Sequence, residues 1–166
     1  MRLRALLLLL ALATSARAEV PAERFLAEAF GTMPAQQMLW LTPPLKERAA
    51  KILDHAYAGM RVKYWRAGRR TAWILDEIGK EQPITVGILV DDGRIGRVEI
   101  LAFRESRGGE VRHGFFTRQF VDARLQAGDR LDRKVDGITG ATLSVWAVTR
   151  VSRLALVFHE EALRHD

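Results

Sequence analysis

The sequence predicts an α+β domain in which an antiparallel sheet of hairpins packs against helices. Three observations predict it. Runs of alternating polar and apolar residues fill the middle of the chain, turn residues separate these runs at hairpin spacing, and a long helical pattern follows them. Strands that follow one another without intervening helices favour antiparallel over parallel pairing. The sequence shows no internal repeat and no low-complexity tract.

The first 18 residues have the three parts of a secretory signal peptide. Arg2 and Arg4 precede an apolar run over residues 5–13, and an A-x-A pattern ends at Ala18. The run is shorter than the ~20 residues that span a bilayer, which favours a cleaved signal over the alternative, an uncleaved anchor. We therefore expect cleavage after Ala18 and export to the periplasm.

Composition limits the classes of partner and cofactor. The full chain has a net charge of +6, but three of its 26 basic residues lie in residues 1–18, and the rest face 20 acidic ones. Such a balance gives no argument for a polyanionic partner. The chain has no cysteine, which excludes disulfides, thiolate metal sites and C-x-x-C-H haem attachment. A redox role would therefore need a carrier other than the protein's own side chains.

Residues 19–80 predict an N-terminal helical segment and a first hairpin. A short helix is expected from Pro21 to Phe30, closed by Gly31, and a loop or mixed segment follows up to Thr42. Thr42 is then the expected N-cap of a second helix, with proline in its first turn.

That second helix is expected to end at Gly59, where the pattern changes to period two. Residues 62–66 and 71–75 then predict two strands joined by a tight turn. This hairpin carries a basic and aromatic cluster of Lys63, Tyr64, Trp65, Arg66, Arg69, Arg70 and Trp73. We interpret the cluster as one packed aromatic face with a solvated cationic turn. A docking surface for an acidic redox partner is an alternative, and export argues against single-stranded nucleic acid.

Residues 81–164 predict a second hairpin and a long helix. Strands over 84–90 and 95–103 flank an Asp-Gly turn, with Val98, Ile100 and Ala102 on one face and Arg97, Glu99 and Leu101 on the other. Gly108 and Gly109 then break the strand, and four apolar residues at helical spacing follow: Phe115, Phe116, Phe120 and Val121.

The last helix is expected from about Ala141 to Leu163. Its apolar stripe consists of Ala147, Val148, Val151, Leu154, Ala155 and Phe158, and its polar face of Thr149, Arg150, Arg153 and Glu160.

The string Asp136-Gly-Ile-Thr-Gly-Ala-Thr142 places a threonine hydroxyl at the start of this helix. A helix start offers free N–H groups and a positive dipole end to a phosphate. Gly140 allows close backbone approach, and Ala141 is small enough to leave the hydroxyl uncovered. Thr139 is a candidate cap, and Asp136 a candidate to hold the turn through its side chain. From these residues alone, a merely well-capped helix start is an equal alternative.

The string D-x-x-T-G-A-T resembles the flavin-attachment motif of the FMN-binding domain family. The preceding I-T-V-G-I-L-V-D-D-G-R-I-G-R-V resembles the strand–turn–strand before that motif, so the resemblance covers roughly residues 84–159. It implies FMN held covalently through its phosphate by Thr142, installed by a Mg-dependent flavin transferase that uses FAD as donor. It also implies that Asp136 helps the transferase to recognise the chain or to bind metal during the modification.

One turn departs from the family's pattern. This chain is similar to the FMN-binding domains of the sodium-pumping NADH:quinone reductase and of the Rnf complex, but those domains usually show a Glu-Thr-Pro-Gly-type turn near the flavin ring. Here the stretch is Glu105-Ser-Arg-Gly-Gly109, which keeps the glutamate and a glycine and lacks the proline. The resemblance therefore makes Glu105 a candidate ring-side residue and favours a stand-alone carrier over a component of a pump.

The remaining titratable residues predict neither a catalytic residue nor a metal site. The four histidines are His55, His113, His159 and His165, and none has H-x-x-x-H or H-E-x-x-H spacing. His159 suits the negative end of the last helix, and His113 is a candidate neighbour of the flavin. No G-x-S-x-G nucleophile motif occurs.

We therefore expect an exported flavoprotein with covalent FMN that relays electrons between a membrane-bound donor and another acceptor. A flavin-dependent reductase acting on a small substrate or metal ion, and a non-redox envelope binding module, are the alternatives. Whether the chain is an enzyme stays open, as do the donor, the acceptor, the redox potential, the oligomeric state and the role of residues 19–80.

Overall fold

The computed structural model describes residues 19–164; the expected signal peptide, residues 1–18, lies outside them. The chain is an α+β fold built on a five-stranded antiparallel sheet. The elements run in the order α1 Ala22–Phe30, β1 Gln36–Trp40, α2 Pro43–Leu53, β2 Arg61–Ala67, β3 Arg70–Ile78, β4 Pro83–Asp91, β5 Arg94–Phe103, α3 Gly114–Thr117, β6 Leu125–Gln126, β7 Arg130–Leu131 and α4 Thr142–Arg164. Among these residues no helix is both long and apolar enough to cross a membrane.

The order of the strands in the sheet is their order along the chain, β1-β2-β3-β4-β5. Both predicted hairpins are confirmed, and each closes with a two-residue turn. Asp92 and Gly93 have φ of 49° and 77°, the left-handed backbone that such hairpin turns require. The sheet continues across residue 80, where the sequence suggested a change of segment.

Helices cover both faces of this sheet. α2 and α4 lie on the inner face and share one large hydrophobic core with it. α1 covers the outer face through Phe25, Leu26 and Ala29, which pack on Ala72, Leu89 and Leu101. Phe25 lies flat above Gly87, where a Cβ would approach the ring to 3.0 Å. Burial on both faces explains why β4 is apolar almost throughout.

Three predicted details are corrected. The loop or mixed segment before Thr42 contains a strand, β1, at the sheet edge. α2 ends at Leu53 rather than at Gly59, because Asp54 adopts a left-handed backbone with φ 65°. The predicted alternation along β5 is wrong at the end of the strand. The register with β4 shifts between Thr85 and Val86, so Phe103, rather than Ala102, lies in the inner core.

The long C-terminal helix is confirmed and is more buried than its stripe predicts. Thirteen of the 23 residues of α4 are buried, because the helix packs on α2 as well as on the sheet. Arg48 of α2 donates to Asp129 (2.6 and 2.9 Å) and to Glu160 of α4 (3.0 Å). These bonds join α2, α4 and the β6–β7 turn.

His159 of α4 is buried in the inner core. Its Nδ1 lies 2.8 Å from Thr71 Oγ1, and its Nε2 accepts the Gly93 N–H at 3.0 Å. Burial, with the nearby Arg69, lowers the pKa of His159 to about 4. The histidine is therefore neutral at pH 7, and the expectation that it serves the helix dipole as a cation is wrong.

The basic and aromatic cluster has the packing that the sequence indicated. Tyr64 stacks on the fully buried Trp73, with ring centroids 4.8 Å apart. The Trp73 indole N–H donates to Thr71 Oγ1 at 2.8 Å. Arg69, by contrast, is exposed in the turn and pairs with Asp92. The aromatic half belongs to the core and the cationic half to the surface.

Candidate functional site

The expected attachment residue, Thr142, is the first residue of α4. It is exposed, and its hydroxyl makes no hydrogen bond within residues 19–164. Ala141 sets the helix start, since its N–H donates to the Ile138 carbonyl (3.0 Å) and its carbonyl accepts the Val145 N–H (2.9 Å). Gly140, with φ 82°, makes the sharp change of direction into the helix. The hydroxyl is thus presented to solvent by a backbone turn.

The first-turn backbone groups are open as well. Across the described chain, the N–H groups of residues 142–144 meet no carbonyl and no side-chain acceptor. Such groups lie at the positive end of the helix dipole. The 23-residue helix α4 therefore offers an anion three donors beside the Thr142 hydroxyl.

Asp136 and Thr139 lie in the same turn, and both are exposed. Their side chains make no hydrogen bond in the described part of the chain. The Asp136 backbone N–H instead donates to Gln119 Oε1 at 2.8 Å. Backbone bonds and Gln119 therefore hold the turn, and neither the expected Thr139 cap nor the expected Asp136 side-chain bond is formed.

A cavity of about 630 Å³ opens beside Thr142. Its walls come from the β3–β4 turn, the segment after β5 and the start of α4: Lys80, Glu81, Glu105, Ser106, Arg107, Gly140, Ala141, Thr142, Leu143 and Ser144. This size lies within the range of pockets that hold small ligands and cofactors. Four of the six predicted binding residues line it: Glu105, Gly140, Ala141 and Thr142. Asp136 and Thr139 lie outside its lining.

Glu105 is only 5% exposed and anchors the wall of this cavity. One carboxylate oxygen accepts the backbone N–H groups of residues 80, 81 and 82, at 2.5, 2.6 and 2.9 Å. Burial raises the pKa of Glu105, but the three donors outweigh it, and the pKa lies below its usual value. The carboxylate therefore ties the β3–β4 turn to the end of β5. Sequence reasoning missed this bond, which joins segments about 25 residues apart.

Gly108 brings the segment after β5 against the start of α4. Its φ is 84°, and a Cβ built on it would lie 2.7 Å from Ser144 Oγ and 3.5 Å from Ala141 Cβ. Only glycine fits such an approach in this backbone conformation. The sequence shows Gly108 as a strand breaker, but nothing in it indicates the contact with α4.

His113 lies in a neighbouring hollow of about 490 Å³, which also includes Arg107, Arg112 and Gly140. Its ring stacks beside Phe115, with centroids 6.1 Å apart. Gly140 and Arg107 line both hollows, so His113 is a neighbour of the Thr142 cavity but not part of its wall.

The residues around Thr142 fit a flavin phosphate. The free helix N–H groups and Arg107 suit its negative charge, and the wall also includes Lys80, which pairs with Glu81 at 3.7 Å. Leu143 adds an exposed apolar side chain beside the hydroxyl. Within residues 19–164, no three His, Asp or Glu side chains are placed to hold a metal ion.

Comparison with known proteins gives one family. Residues 79–157 match the family model described as FMN-binding domain. This span starts at the β3–β4 turn and ends inside α4, so it includes Glu105, Gly108 and the whole Asp136–Thr142 turn. No curated protein and no solved structure matches the chain.

Proposed function

We propose that this chain, whose residues 79–157 match the FMN-binding domain family, carries one FMN esterified through its phosphate to the Thr142 hydroxyl. In this proposal the protein is exported to the periplasm and relays electrons between a membrane-bound donor and another acceptor. The flavin supplies the redox chemistry, and the chain supplies its position and electrostatic surroundings.

The observation that carries the proposal is the placement of Thr142. An unbonded hydroxyl, three free backbone N–H groups and a cavity of about 630 Å³ meet at one helix start. A helix start that is merely capped would use the threonine oxygen as an acceptor for one of those N–H groups. Here neither Thr139 nor Thr142 does so, which favours a site left open for a phosphate.

The modification is a transfer from FAD. The Thr142 oxygen bonds to the flavin-side phosphorus as the pyrophosphate bond breaks, AMP leaves, and the hydroxyl gives up its proton. The chain then carries a phosphodiester with one negative charge. The N–H groups of residues 142–144 are placed to donate hydrogen bonds to this phosphate, and Lys80 and Arg107 lie on the cavity wall.

Export and relay are supported by sequence and by exposure. The signal-like residues 1–18 agree with a compartment outside the cytoplasm. Covalent attachment retains a cofactor that would otherwise diffuse away there. Since Thr142 and Leu143 are both exposed, a partner can approach the site without a change in the fold.

Intact-mass measurement tests the attachment. The full chain, co-expressed with a flavin transferase, should gain the mass of one FMN less one water and stay yellow after denaturation. Thr142→Ala should have the unmodified mass. Thr32→Ala, which removes an exposed threonine outside the motif, is the matched control and should keep the flavin.

Absence of the added mass from the unaltered chain would refute the proposal, and a Thr142→Ala protein that still holds flavin would refute the site. If the purified flavoprotein turned over a small substrate at steady state, the protein would be a reductase rather than an electron relay.

A further inference from the structure

A second groove of about 400 Å³ lies on the other side of the attachment turn. Three arginines line it, Arg130, Arg133 and Arg153, and its lining includes no carboxylate. It also includes Gly137 of the Asp136–Thr142 turn and Trp146 of α4. We call this surface the arginine groove. Cations therefore surround a depression next to the candidate flavin site, at a place that the FMN cavity does not use.

Trp146 is the apolar centre of this surface. Its side chain is 53% exposed, and its ring makes no aromatic or cation–π contact within residues 19–164. It lies four residues after Thr142, so the two side chains share one face of α4, about 5–6 Å apart at Cβ. Leu143, 43% exposed, is its neighbour at three residues. An exposed indole and leucine at one helix start leave an apolar patch beside the attachment point.

Three carboxylates lie near the groove, and one of them pairs with a groove arginine; the exposed Asp136, beside Gly137, makes no side-chain bond in the described part of the chain. Asp129 accepts two bonds from Arg48, and Asp132 pairs with Arg124 and Arg133. Asp132 therefore balances Arg133, whereas Arg130 and Arg153 form no ion pair within residues 19–164 and give the groove its positive charge.

Arg153 is the groove arginine that a backbone bond holds in place. Its Nε donates to the Asp129 carbonyl at 2.6 Å, which leaves the rest of its guanidinium in the groove lining. Burial lowers the pKa of Arg153, the nearby Asp129 opposes this shift, and the neighbouring Arg150 and Arg130 add smaller lowering effects. An anionic group in the groove would relieve this repulsion.

We propose that the arginine groove docks the acidic surface of a redox-partner protein, with an apolar partner side chain on Trp146. This inference rests on the proposed function, since it places the partner next to the flavin of Thr142. Arginine and tryptophan are the residues most enriched at energetically important interface positions. A cationic rim around an apolar centre fits a protein surface of opposite charge, and such complementarity mainly raises the rate of encounter.

The test uses the full flavoprotein, reduced, in stopped-flow oxidation by a rubredoxin, a small acidic one-electron carrier. Ferricyanide and hexaammineruthenium(III) serve as anionic and cationic small oxidants. Each reduced flavin gives its two electrons to two oxidant molecules. The groove variant is Arg130→Gln with Arg133→Gln. The matched control, Arg69→Gln with Arg164→Gln, removes the same charge near the C-terminal end of α4, a helix about 33 Å long at 1.5 Å per residue.

We expect the groove variant to react about three- to tenfold more slowly with rubredoxin and ferricyanide at low ionic strength, and no more slowly with hexaammineruthenium. The control variant should keep the unaltered rates. The difference should fade in 1 M salt, where the screening length is about 3 Å. Trp146→Gln should slow rubredoxin and leave ferricyanide unchanged, because only a protein uses the apolar contact.

Equal rubredoxin rates for the groove and control variants would overturn the inference, as would slowing with ferricyanide alone. Those results would leave a yellow, covalently modified protein and hence the proposed function intact. A chain without the FMN mass would instead refute the proposed function, and the docking inference would fall with it.

Discussion

Gly108 is the residue on which the geometry of the candidate site depends most directly. It combines a left-handed backbone with a close approach to Ser144 and Ala141, and so holds the segment after β5 against the start of α4. A side chain here meets two separate penalties, backbone strain and a steric clash.

Gly108→Ala should therefore lower the free energy of unfolding by roughly 2–4 kcal/mol, measured by urea denaturation. Gly137→Ala is the control, since a Cβ at Gly137 meets nothing within 4 Å and the backbone has no positive φ. It should change stability by no more than about 0.5 kcal/mol. Equal effects of the two substitutions would show that the Gly108 contact is unimportant.

For single residues, the sequence predicts that Thr142 lies at the start of α4, but not which residues hold the neighbouring segments against it. Thr142 and Gly140 belong to a local motif, and local motifs are readable from sequence. The bonds of Glu105 to residues 80–82 and the approach of Gly108 to Ser144 join distant segments. Nothing in the local pattern specifies such partners, so the structure was needed to find them.

Three buried side chains fix α1 to the sheet. Phe25, Leu26 and Ala29 fix it to the outer face of the sheet, and the Phe25 ring fits over Gly87 because that position has no side chain. Arg97 lies over the same ring, 5.6 Å from its centroid. One aromatic side chain thus provides much of the attachment of a nine-residue helix.

Phe25→Ala should lower the free energy of unfolding by about 3–5 kcal/mol, the usual effect of removing a buried phenyl ring. Met33→Ala, an exposed side chain just after α1, is the control and should change it by about 0.5 kcal/mol or less. Thermal unfolding followed by circular dichroism measures both. If Phe25→Ala matched the control, α1 would not contribute to the stability of the sheet.

Elements with a strong period were predictable, and short edge elements were not. The two hairpins and α4 have alternation or a helical stripe over many residues. β1 was missed because Leu39 is its one fully buried residue, so its five residues carry no alternation. α2 ends at Leu53 because Asp54 takes the left-handed conformation, whereas the sequence pattern suggested that the helix continues to Gly59.

The stability of the whole molecule depends on two histidines whose pKa values are shifted in opposite directions. The pKa of His159 is about 4 in the folded chain, below its usual 6.5. Unfolding then takes up a proton between these values, so stability falls as pH drops from 6.5 to 4. His55 is held by Glu77 and its Ala56 carbonyl, and its pKa is raised. Its contribution is complete below pH 6.5 and is lost as pH rises through the folded pKa.

We expect the free energy of unfolding to decline by roughly 3 kcal/mol between pH 6.5 and 4 on account of His159. Urea titrations at pH 7, 6, 5 and 4 measure the decline. Glu105, whose pKa is lowered, adds its own loss only below its usual pKa. His159→Gln should flatten the curve above pH 5, where most carboxylates are still ionised. A slope unchanged by that substitution would contradict the assignment to His159.

The fold class was predictable because it follows from the order of elements, whereas the layering was not. The sequence indicated an antiparallel sheet with a long final helix, and the structure shows both. It did not indicate that α1 would cover the outer face or that α2 would pack against α4. Both depend on packing between segments far apart in the chain.

The burial of α4 limits the directions in which a group bonded to the Thr142 oxygen can extend from the protein. With 13 of its 23 residues buried in the core that it shares with the sheet and α2, the helix cannot shift without repacking that core. Threonine in a helix is itself restricted to two side-chain rotamers. A group bonded to its oxygen therefore leaves the protein along one of two directions, and any further reach comes from the single bonds of the group itself.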